Sequence, residues 1–454
     1  MKLIYNVTDK PKFGQLIIFA IQQLLSIITA TLVVPVVINQ ACGTTMSSAA
    51  ALVGAGVGTL VYIAFTKKKS PVFLGSSFAF IGSMITAFAG GISMALGYLG
   101  LILGAFFAAL VYVVIALIVK FAGVNWINKV MPTVVIGPTV ALIGLSLAAN
   151  AVGDISKGSV PDVVASPLIT VLCGIVTLLI AVICSTYGKK TLRLIPFIMA
   201  ILGGYILCAI FTGIGYAANI DALKILNVAP FLALVDGGIS INTFFSVPDF
   251  TFLTAFKGIG ELNGAYIGTI AVAYIPVAFV VFAEHIADHK NISSIIEKEL
   301  LEDPGLDKTL MGDGIGSLVG ALFGGCPNTT YGESVGCVAI TRNASVVTII
   351  TAAILAIIIS FLSPFIAFVN SIPSCVMGGV CMALYGFIAV SGLKMIQQVN
   401  LNLNKNLFVV SSILISGIGG LTLNLGRVTI TSIACALILG IITNVIVSKA
   451  ENEE

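Results

Sequence analysis

Long apolar runs separated by short polar breaks dominate the chain. A helix needs about 20 mainly apolar residues to cross the roughly 30 Å hydrocarbon layer of a membrane. The clear candidates lie at 14–38, 47–66, 96–122, 131–152, 165–186, 194–216, 264–288, 344–368, 374–393, 406–424 and 429–447. Weaker candidates, rich in Gly, Ser, Thr and Pro, lie at 72–90, 311–325 and 327–341. Together these segments predict about fourteen transmembrane spans.

The composition agrees with this pattern. Of the 454 residues, 58% are hydrophobic and only 9% are charged, and the mean hydropathy is +1.12. Soluble domains carry about 25% charged residues. Disordered, coiled-coil, collagen-like and nucleic-acid-binding proteins are therefore excluded, and the predicted class is an all-α polytopic membrane protein. The net charge of +3 is too small to indicate an anionic partner.

The distribution of Lys and Arg predicts the orientation in the membrane. With the N-terminus in the cytoplasm, 18 of the 22 basic residues fall on the cytoplasmic side, as the positive-inside rule requires. These are Lys2, Lys10, Lys12, Lys67, Lys68, Lys69, Lys120, Lys129, Lys189, Lys190, Arg193, Lys290, Lys298, Lys308, Arg342, Lys394, Lys405 and Lys449. The remaining four are Lys157, Lys224, Lys257 and Arg427. Both termini are thus expected in the cytoplasm, in the cytoplasmic membrane of a cell.

Two weak sequence matches suggest an internal repeat. The motif at 132–137 matches 373–378 at an offset of 241, and 71–78 can be set against 327–334 at an offset of 256. Two halves of seven spans must be inverted relative to each other, and inverted repeats are typical of secondary transporters. We expect a first repeat at 1–216, a connecting loop and interfacial segment at 217–262, a second repeat at 263–449 and a cytoplasmic tail at 450–454. Chance alone is a competing explanation for such short matches.

Acidic residues stand out in two of the stretches predicted to cross the membrane. Glu284 and Asp288 follow an uncharged run, and Glu333 is the one charge in 327–340. A charge near the bilayer centre costs at least about 2.5–3.5 kcal/mol, so a functional role is the default hypothesis. Glu284 and Asp288 share one helix face. Because two close carboxylates in a low dielectric do not both ionise readily, they suit the uptake and release of a proton. Alternatively, Asp288 caps the helix at the cytoplasmic interface.

The sequence offers little for a metal or redox site. The nine cysteines form no CxxC pair, and most lie inside apolar runs, where they act as small apolar side chains. His285 and His289 are the only histidines, and their order with Glu284 is not that of a zinc protease. We interpret them as interfacial or proton-relaying side chains. No metal and no cofactor are expected, and an enzyme is disfavoured because no nucleophile–base pair is present.

Two polar segments suggest a small, flat, polar ligand. Glu333 is surrounded by the hydrogen-bonding residues of 328–334, and residues 75–78 combine Gly and Ser with an aromatic ring. Irregular backbone at membrane depth survives only where it is buried in protein or lines a cavity. The alternative is that the Gly, Ser and Thr residues only pack helices closely, but this does not explain Glu333.

Several segments resemble the nucleobase–ascorbate transporter family, also called nucleobase:cation symporter-2. Within it, the bacterial uracil:proton symporters are the most similar branch, and the resemblance covers nearly the whole chain. The family signature is Gln, Glu or Pro, then Asn, any residue, Gly, four of any residue, Thr and often Arg. Residues 333–336 and 341–342 match it with Ser334 in place of Asn. The other similar segments are 73–80, 283–285, 303–306 and 327–333.

The resemblance implies a homodimer of fourteen-span protomers, each with a core domain and a gate domain. The third and tenth spans would each contain a short strand before a half-helix. Glu284 and Glu333 would bind the ring N–H groups of a nucleobase, and the backbone amides of Phe78 and Gly332 would bind its carbonyl oxygens. Uracil suits such a site because its edge alternates two N–H donors with two C=O acceptors.

The chain departs from the uracil branch at three positions. Gln23 and Asp288 stand where histidines are frequent, and Ser334 replaces Asn. Proton coupling must then involve Asp288 or Glu284 instead. The full set of candidates for coupling is Glu284, Asp288, His289 and Glu333.

The predicted function is import of uracil with a proton, driven by the proton gradient. The first alternative is a xanthine or other purine symporter of the same family, although members of that branch tend to place Gln at position 333. The second is an anion exchanger of the related fold, which would be expected to have cationic groups at the site.

Overall fold

The computed structural model describes residues 3–123, 132–189, 191–425 and 428–448. Within these ranges the chain forms twenty α-helices and four short strands. The first half contains α1 (Phe13–Cys42), α2 (Ser48–Phe65), β1 (Leu74–Ser76), α3 (Ile81–Ala87), α4 (Met94–Ala122), α5 (Thr133–Ser146), α6 (Ala148–Asp154), α7 (Pro167–Tyr187), α8 (Thr191–Leu194) and α9 (Pro196–Ala217).

The second half follows three short helices, α10 (Ala229–Leu232), α11 (Ile241–Phe244) and α12 (Thr251–Ala255). It contains α13 (Gly264–Ile296), α14 (Leu306–Gly324), β2 (Asn328–Thr330), α15 (Gly332–Thr341), α16 (Val346–Ile359), α17 (Ser363–Ser371), α18 (Ser374–Ile396), α19 (Asn404–Ile418), β3 (Leu423–Leu425), β4 (Val428–Ile430) and α20 (Ser432–Val447). Lys2, Lys129, Lys190, Arg427, Lys449, the start of the span predicted at 131–152 and the tail 450–454 lie outside the described residues.

The helices confirm a multi-pass membrane protein. In the described part of the chain, eight helices are long and apolar enough to cross a membrane, with α5 and α6 taken together, and four shorter apolar helices accompany them. Some predicted boundaries were wrong. Helix α13 continues past residue 288 to Ile296, and the span at 344–368 is divided into α16 and α17. The connecting loop and interfacial segment predicted at 217–262 contains the short helices α10, α11 and α12.

Glycine allows α2 and α14 to pack with their backbones in contact. A Cβ atom on Gly54 would lie 2.5 Å from the carbonyl oxygen of Gly320, and one on Gly58 would lie 2.6 Å from that of Gly316. Small residues at such contacts are typical of membrane helices, where close van der Waals packing replaces the hydrophobic effect. The side chain of Asn328 stabilises the same contact between α2 and α14 by donating to the Gly54 carbonyl at 3.1 Å.

The strands β1 and β2 pair in antiparallel orientation although they are far apart in the sequence. Leu74 pairs with Thr330, Gly75 with Thr329, and Ser76 with Asn328. All six residues are buried. This pairing satisfies backbone groups that would otherwise be exposed to a non-polar environment, which is why strands are tolerated inside a helical membrane protein. It also confirms the expected strands in the segments at 72–90 and 327–341.

A second antiparallel pair joins β3 to β4, with Leu423 opposite Ile430. One predicted span ends at 424 and the next begins at 429, so this hairpin was not predicted. The strands are three residues each and directly precede α20, so span length alone could not reveal them.

Two loops on the predicted cytoplasmic side are joined by an ion pair between Lys69 and Asp303. The hydrogen bond from the Lys69 ammonium group holds the pKa of the Asp303 carboxyl below its usual range. Because both side chains are largely exposed, solvent screens this pair and its contribution to stability is small.

We predict that Gly54→Ala destabilises the protein by about 1–3 kcal/mol, because the added methyl group overpacks the contact between α2 and α14. The measurement is thermal unfolding in detergent. Gly213→Ala in α9 is the matched control, since no atom lies within 4 Å of its added Cβ. Equal melting temperatures for the two variants would contradict the close packing described here.

Candidate functional site

Two broken membrane segments face each other at the paired strands. After β1 the chain turns into a short helical turn at Phe78–Phe80 that leads into α3, and after β2 it begins α15 at Gly332. The strands are offset by 254 residues (328 − 74), and the same offset joins Phe78 to Gly332 (332 − 78). The offset of 256 predicted from sequence was therefore wrong by two residues. Each helix start leaves backbone N–H groups free to bind a partially negative atom.

A cavity of about 340 Å³ lies at these two helix starts. Every residue expected to bind a ligand lines it, namely Phe78, Glu284, Gly332 and Glu333, and Asp288 lines it as well. The remaining lining residues are mostly apolar: Ala79, Val140, Ile143, Ala287, Asn291, Thr329, Tyr331, Leu384, Phe387, Ile388, Ser391 and Met395. A mainly apolar pocket with a few convergent polar groups is the usual form of a small-molecule site.

Helix α13 supplies two of the acids. Glu284 and Asp288 lie one turn apart and both reach the cavity. The Thr330 hydroxyl donates to Asp288 at 2.9 Å, which links α13 to the end of β2. Asp288 is only 7% exposed, and α13 continues for about two turns beyond it to Ile296. The alternative that Asp288 caps the end of this helix is therefore wrong.

Glu333 is positioned by the start of α15. It lies in the first turn of that helix, where a negative charge interacts favourably with the helix dipole. Tyr331, the residue just before the first residue of α15, donates its hydroxyl to the Ser76 carbonyl at 2.7 Å. Its ring occupies the space above Gly75, where a Cβ atom would lie 2.3 Å from the ring. Glycine at position 75 is thus required for the contact that holds the two half-helices together.

Two of the departures from the family pattern contact each other. Gln23 on α1 donates from its side-chain amide to the Ser334 hydroxyl, and the backbone N–H of Phe73 donates to the same oxygen at 3.0 Å. Ser334 is fully buried. Gln23 does not line the cavity, so its contribution is to fix α15 against α1 and β1. Sequence reasoning could not find this contact, because 311 residues separate the two side chains.

The two histidines lie behind the cavity, not at an interface. Both are fully buried, so the interfacial interpretation was wrong. His289 donates from Nδ1 to the His285 carbonyl at 2.8 Å, and its Nε2 lies 2.6 Å from the Tyr62 hydroxyl. His285 contacts Asp313 at 2.7 Å. Asp313 was missed, although an acid inside the predicted span 311–325 was the same signal that identified Glu333.

In the described ranges, no group of three His, Cys, Asp or Glu side chains has metal-binding geometry.

Broken helices whose starts meet at a cavity within a bundle of membrane helices are typical of secondary transporters. Comparisons with known proteins agree. The family model described as "Permease family", for xanthine and uracil permeases, matches residues 14–426. The chain therefore belongs to this family, the nucleobase:cation symporter-2 family, and it is a transporter rather than an enzyme.

The relatives are similar along nearly their full length. The uracil permease of Bacillus subtilis (strain 168) is 36% identical over 461 residues, which cover 100% of this chain and 97% of the relative. The uracil permease of Escherichia coli (strain K12) is 33% identical over 443 residues, which cover 96% and 92%. The solved transmembrane domain of a cyanobacterium bicarbonate transporter, BicA, has a TM-score of 0.61 at 14% identity and covers 97% of this chain and 100% of that one. This last likeness shows a shared fold only.

We predict that Ser334→Ala destabilises the protein by about 1–3 kcal/mol, because it leaves the buried Phe73 N–H without an acceptor. Thermal unfolding in detergent measures the effect. Ser77→Ala is the control, since the hydroxyl of this buried serine has no hydrogen-bond partner. A Ser334→Ala variant as stable as the Ser77→Ala variant would show that the contact with Phe73 is unimportant.

Proposed function

We propose that this transporter imports uracil across the cytoplasmic membrane together with a proton. The observation that carries the proposal is the convergence of Glu284, Glu333 and two helix starts on one cavity. The similarity to two uracil permeases supports the choice of substrate.

The hydrogen-bonding groups of the cavity complement those of uracil. The carboxylates of Glu284 and Glu333 accept from the two ring N–H groups, and the backbone N–H groups of Phe78 and Gly332 donate to the two carbonyl oxygens. The Phe78 ring is held edge-on against Tyr385, with 5.8 Å between the ring centroids, and forms an apolar wall for the base. Sites built to pair with substrate donors reject analogues that lack them, because the buried polar groups are then left unpaired.

We further propose fourteen transmembrane segments arranged as two inverted repeats, 1–216 and 263–449, joined by 217–262. The antiparallel pairing of β1 with β2 supports the inversion, because each strand comes from one repeat. Helices α1–α4 and α13–α16 pack mainly among themselves, as do α5–α9 and α18–α20. We assign the first group to the core domain and the second to the gate domain. By family resemblance the protein forms a homodimer, with both termini in the cytoplasm.

The cavity opens towards the predicted cytoplasmic side. Its lining continues from Glu284 to Asn291 on α13 and from Leu384 to Met395 on α18. These ends lie next to Lys290 and Lys394, which the positive-inside rule assigns to the cytoplasm. We infer that the structure represents the inward-facing state, from which uracil and the proton are released.

The acids of the cavity support the proposed proton coupling. Glu284, Asp288 and Glu333 together bring three carboxylates to one cavity, and no Lys or Arg lines it. Adding a neutral base displaces water and lowers the local dielectric, which makes the ionised form of Asp288, the cavity acid that is not assigned a bond to the base, more costly. Binding of the base therefore favours binding of a proton, and the proton gradient supplies the energy without a cofactor. Glu284, Asp288 and Glu333 remain the coupling candidates in the cavity, whereas His289 lies outside it.

Two rivals make different predictions. A xanthine symporter would use the same cavity for a purine. An anion exchanger shares the fold of the bicarbonate transporter domain, but the acidic cavity repels an anion. The carboxylates thus disfavour an anion, whereas the choice of uracil over xanthine is supported by the similarity to uracil permeases.

The deciding experiment is uptake of radiolabelled uracil into proteoliposomes with an inward proton gradient. We predict uptake that excess unlabelled xanthine or bicarbonate does not reduce. Glu284→Gln and Glu333→Gln should each lower it by at least about tenfold, because a charge-assisted hydrogen bond to the substrate, worth about 1.5–3 kcal/mol, is lost. Glu261→Gln in the connecting segment, outside the cavity, is the control. Uptake of xanthine or bicarbonate without uracil would refute the proposed substrate.

Substitution of Gly332 tests the role of the helix start. Its added Cβ would meet only Asp288, at 3.6 Å, so Gly332→Ala is expected to fold and to intrude on the cavity. We predict weaker binding of uracil by roughly tenfold, about 1.4 kcal/mol, with unchanged thermal stability. Gly336→Ala, one turn along α15 and with open space around its Cβ, should bind normally. Normal binding by both variants would show that the base does not sit against Gly332.

A further inference from the structure

A second group of ionisable side chains lies directly behind the cavity. His285 Nδ1 is 2.7 Å from Asp313 Oδ2, and His285 Nε2 is 3.0 Å from the Thr309 hydroxyl. The side chains of His285 and Asp313 are both 0% exposed. Neither residue lines the cavity, although His285 directly follows Glu284 on α13.

The hydrogen bonds of this group can form with either one or two protons bound to His285 and Asp313. The Thr309 hydroxyl has one hydrogen, and both the Leu306 carbonyl at 3.2 Å and His285 Nε2 are within its reach. When Thr309 donates to His285, a neutral imidazole donates from Nδ1 to an ionised Asp313. When Thr309 donates to Leu306, Nε2 must itself donate to Thr309, and the proton shared between Nδ1 and Asp313 is an additional one. Rotation of one hydroxyl therefore accommodates the gain or loss of one proton.

The environment makes the proton-poor form costly. The second oxygen of Asp313, Oδ1, has no hydrogen-bond partner, and neither do the nearby hydroxyls of Tyr112 and Ser317. Tyr112 packs with its ring edge towards His285, at 6.4 Å between centroids, and Ser317 lies one turn after Asp313 on α14. A buried carboxylate with a single neutral partner is poorly stabilised. The pair is thus held in its proton-loaded, overall neutral form unless the surroundings change.

The charged groups around the pair connect it to the cavity. Glu284, Asp288 and His289 approach it from α13, Tyr112 from α4 and Tyr62 from α2. On α14, Lys308 turns away and donates to the Pro304 carbonyl at 2.7 Å. In the described part of the chain, no Lys or Arg side chain bonds to Asp313. Negative charge on the cavity acids therefore favours the loaded pair, and neutralisation of those acids favours proton release.

We propose that the Asp313–His285 pair is a second proton site, separate from the cavity, which binds and releases one proton in each transport cycle. Loading converts a carboxylate and a neutral imidazole, plus one proton, into a neutral pair, and release reverses this. The inference rests on the proposed proton-coupled transport of uracil. It adds to the cavity acids a second coupling site that the substrate does not contact.

The test separates substrate exchange from gradient-driven accumulation in proteoliposomes. We expect Asp313→Asn to exchange labelled for unlabelled uracil as the parent does, without a gradient. Its steady-state accumulation should fall by about tenfold for each unit of imposed pH gradient, because one pH unit acting on one coupled proton corresponds to a factor of ten. Asp154→Asn is the matched control, since this Asp is also largely buried but pairs with Lys157, and neither residue lines the cavity.

A second variant keeps the test decisive if Asp313→Asn does not fold. Thr309→Val removes no ionisable group. It does remove the hydroxyl whose rotation accommodates the gain or loss of a proton by the Asp313–His285 pair. We expect exchange to be unchanged and the external pH of half-maximal accumulation to shift. An unshifted pH profile, or full accumulation by Asp313→Asn, would overturn the second proton site. Absence of gradient-driven uracil uptake in the parent protein would instead refute the proposed function itself.

Discussion

The pairing of β1 with β2 is the contact on which the site depends. A membrane interior offers no water to unpaired backbone groups, so a span can be interrupted only where another part of the protein satisfies the exposed N–H and C=O groups. The antiparallel pair between Leu74–Ser76 and Asn328–Thr330 does this. As a consequence, two helices begin at the pair rather than at the membrane surface, and their free N–H groups face a cavity that the acids of α13 and α15 complete.

Helix α13 presents different chemistry on two faces. Glu284 and Asp288 point to the cavity, whereas His285 and His289, each one residue further and rotated by about 100°, point to α2, α4 and α14. In the proposed mechanism, the substrate and the second proton site therefore share helix α13 without contacting each other. Coupling between the two sites then requires only that a change of charge on one face of α13 shifts the protonation equilibrium on the other face.

Much of this arrangement was predictable from the sequence, because charges and glycines are conspicuous in an apolar chain. The acids Glu284, Asp288 and Glu333 and both strand segments were identified in this way. Contacts between distant residues were not, since periodicity carries no information about which helices are neighbours. The bond from Gln23 to Ser334 and the pair of His285 with Asp313 depend on tertiary packing. The β3–β4 hairpin was missed because its six residues resemble the ends of two apolar spans.

The same scaffold serves a bicarbonate transporter domain at 14% identity, which shows that the fold alone does not determine the ligand. In this chain three acids and two helix starts meet at one cavity. In this account each cavity glutamate accepts one ring N–H group of uracil. The most direct test is competition for binding of labelled uracil to the purified protein by N1-methyluracil and N3-methyluracil, each of which lacks one donor. We predict that both compete at least about tenfold more weakly than uracil, since each leaves one buried carboxylate unpaired. Competition by either analogue as strong as that of uracil would contradict the two-carboxylate site.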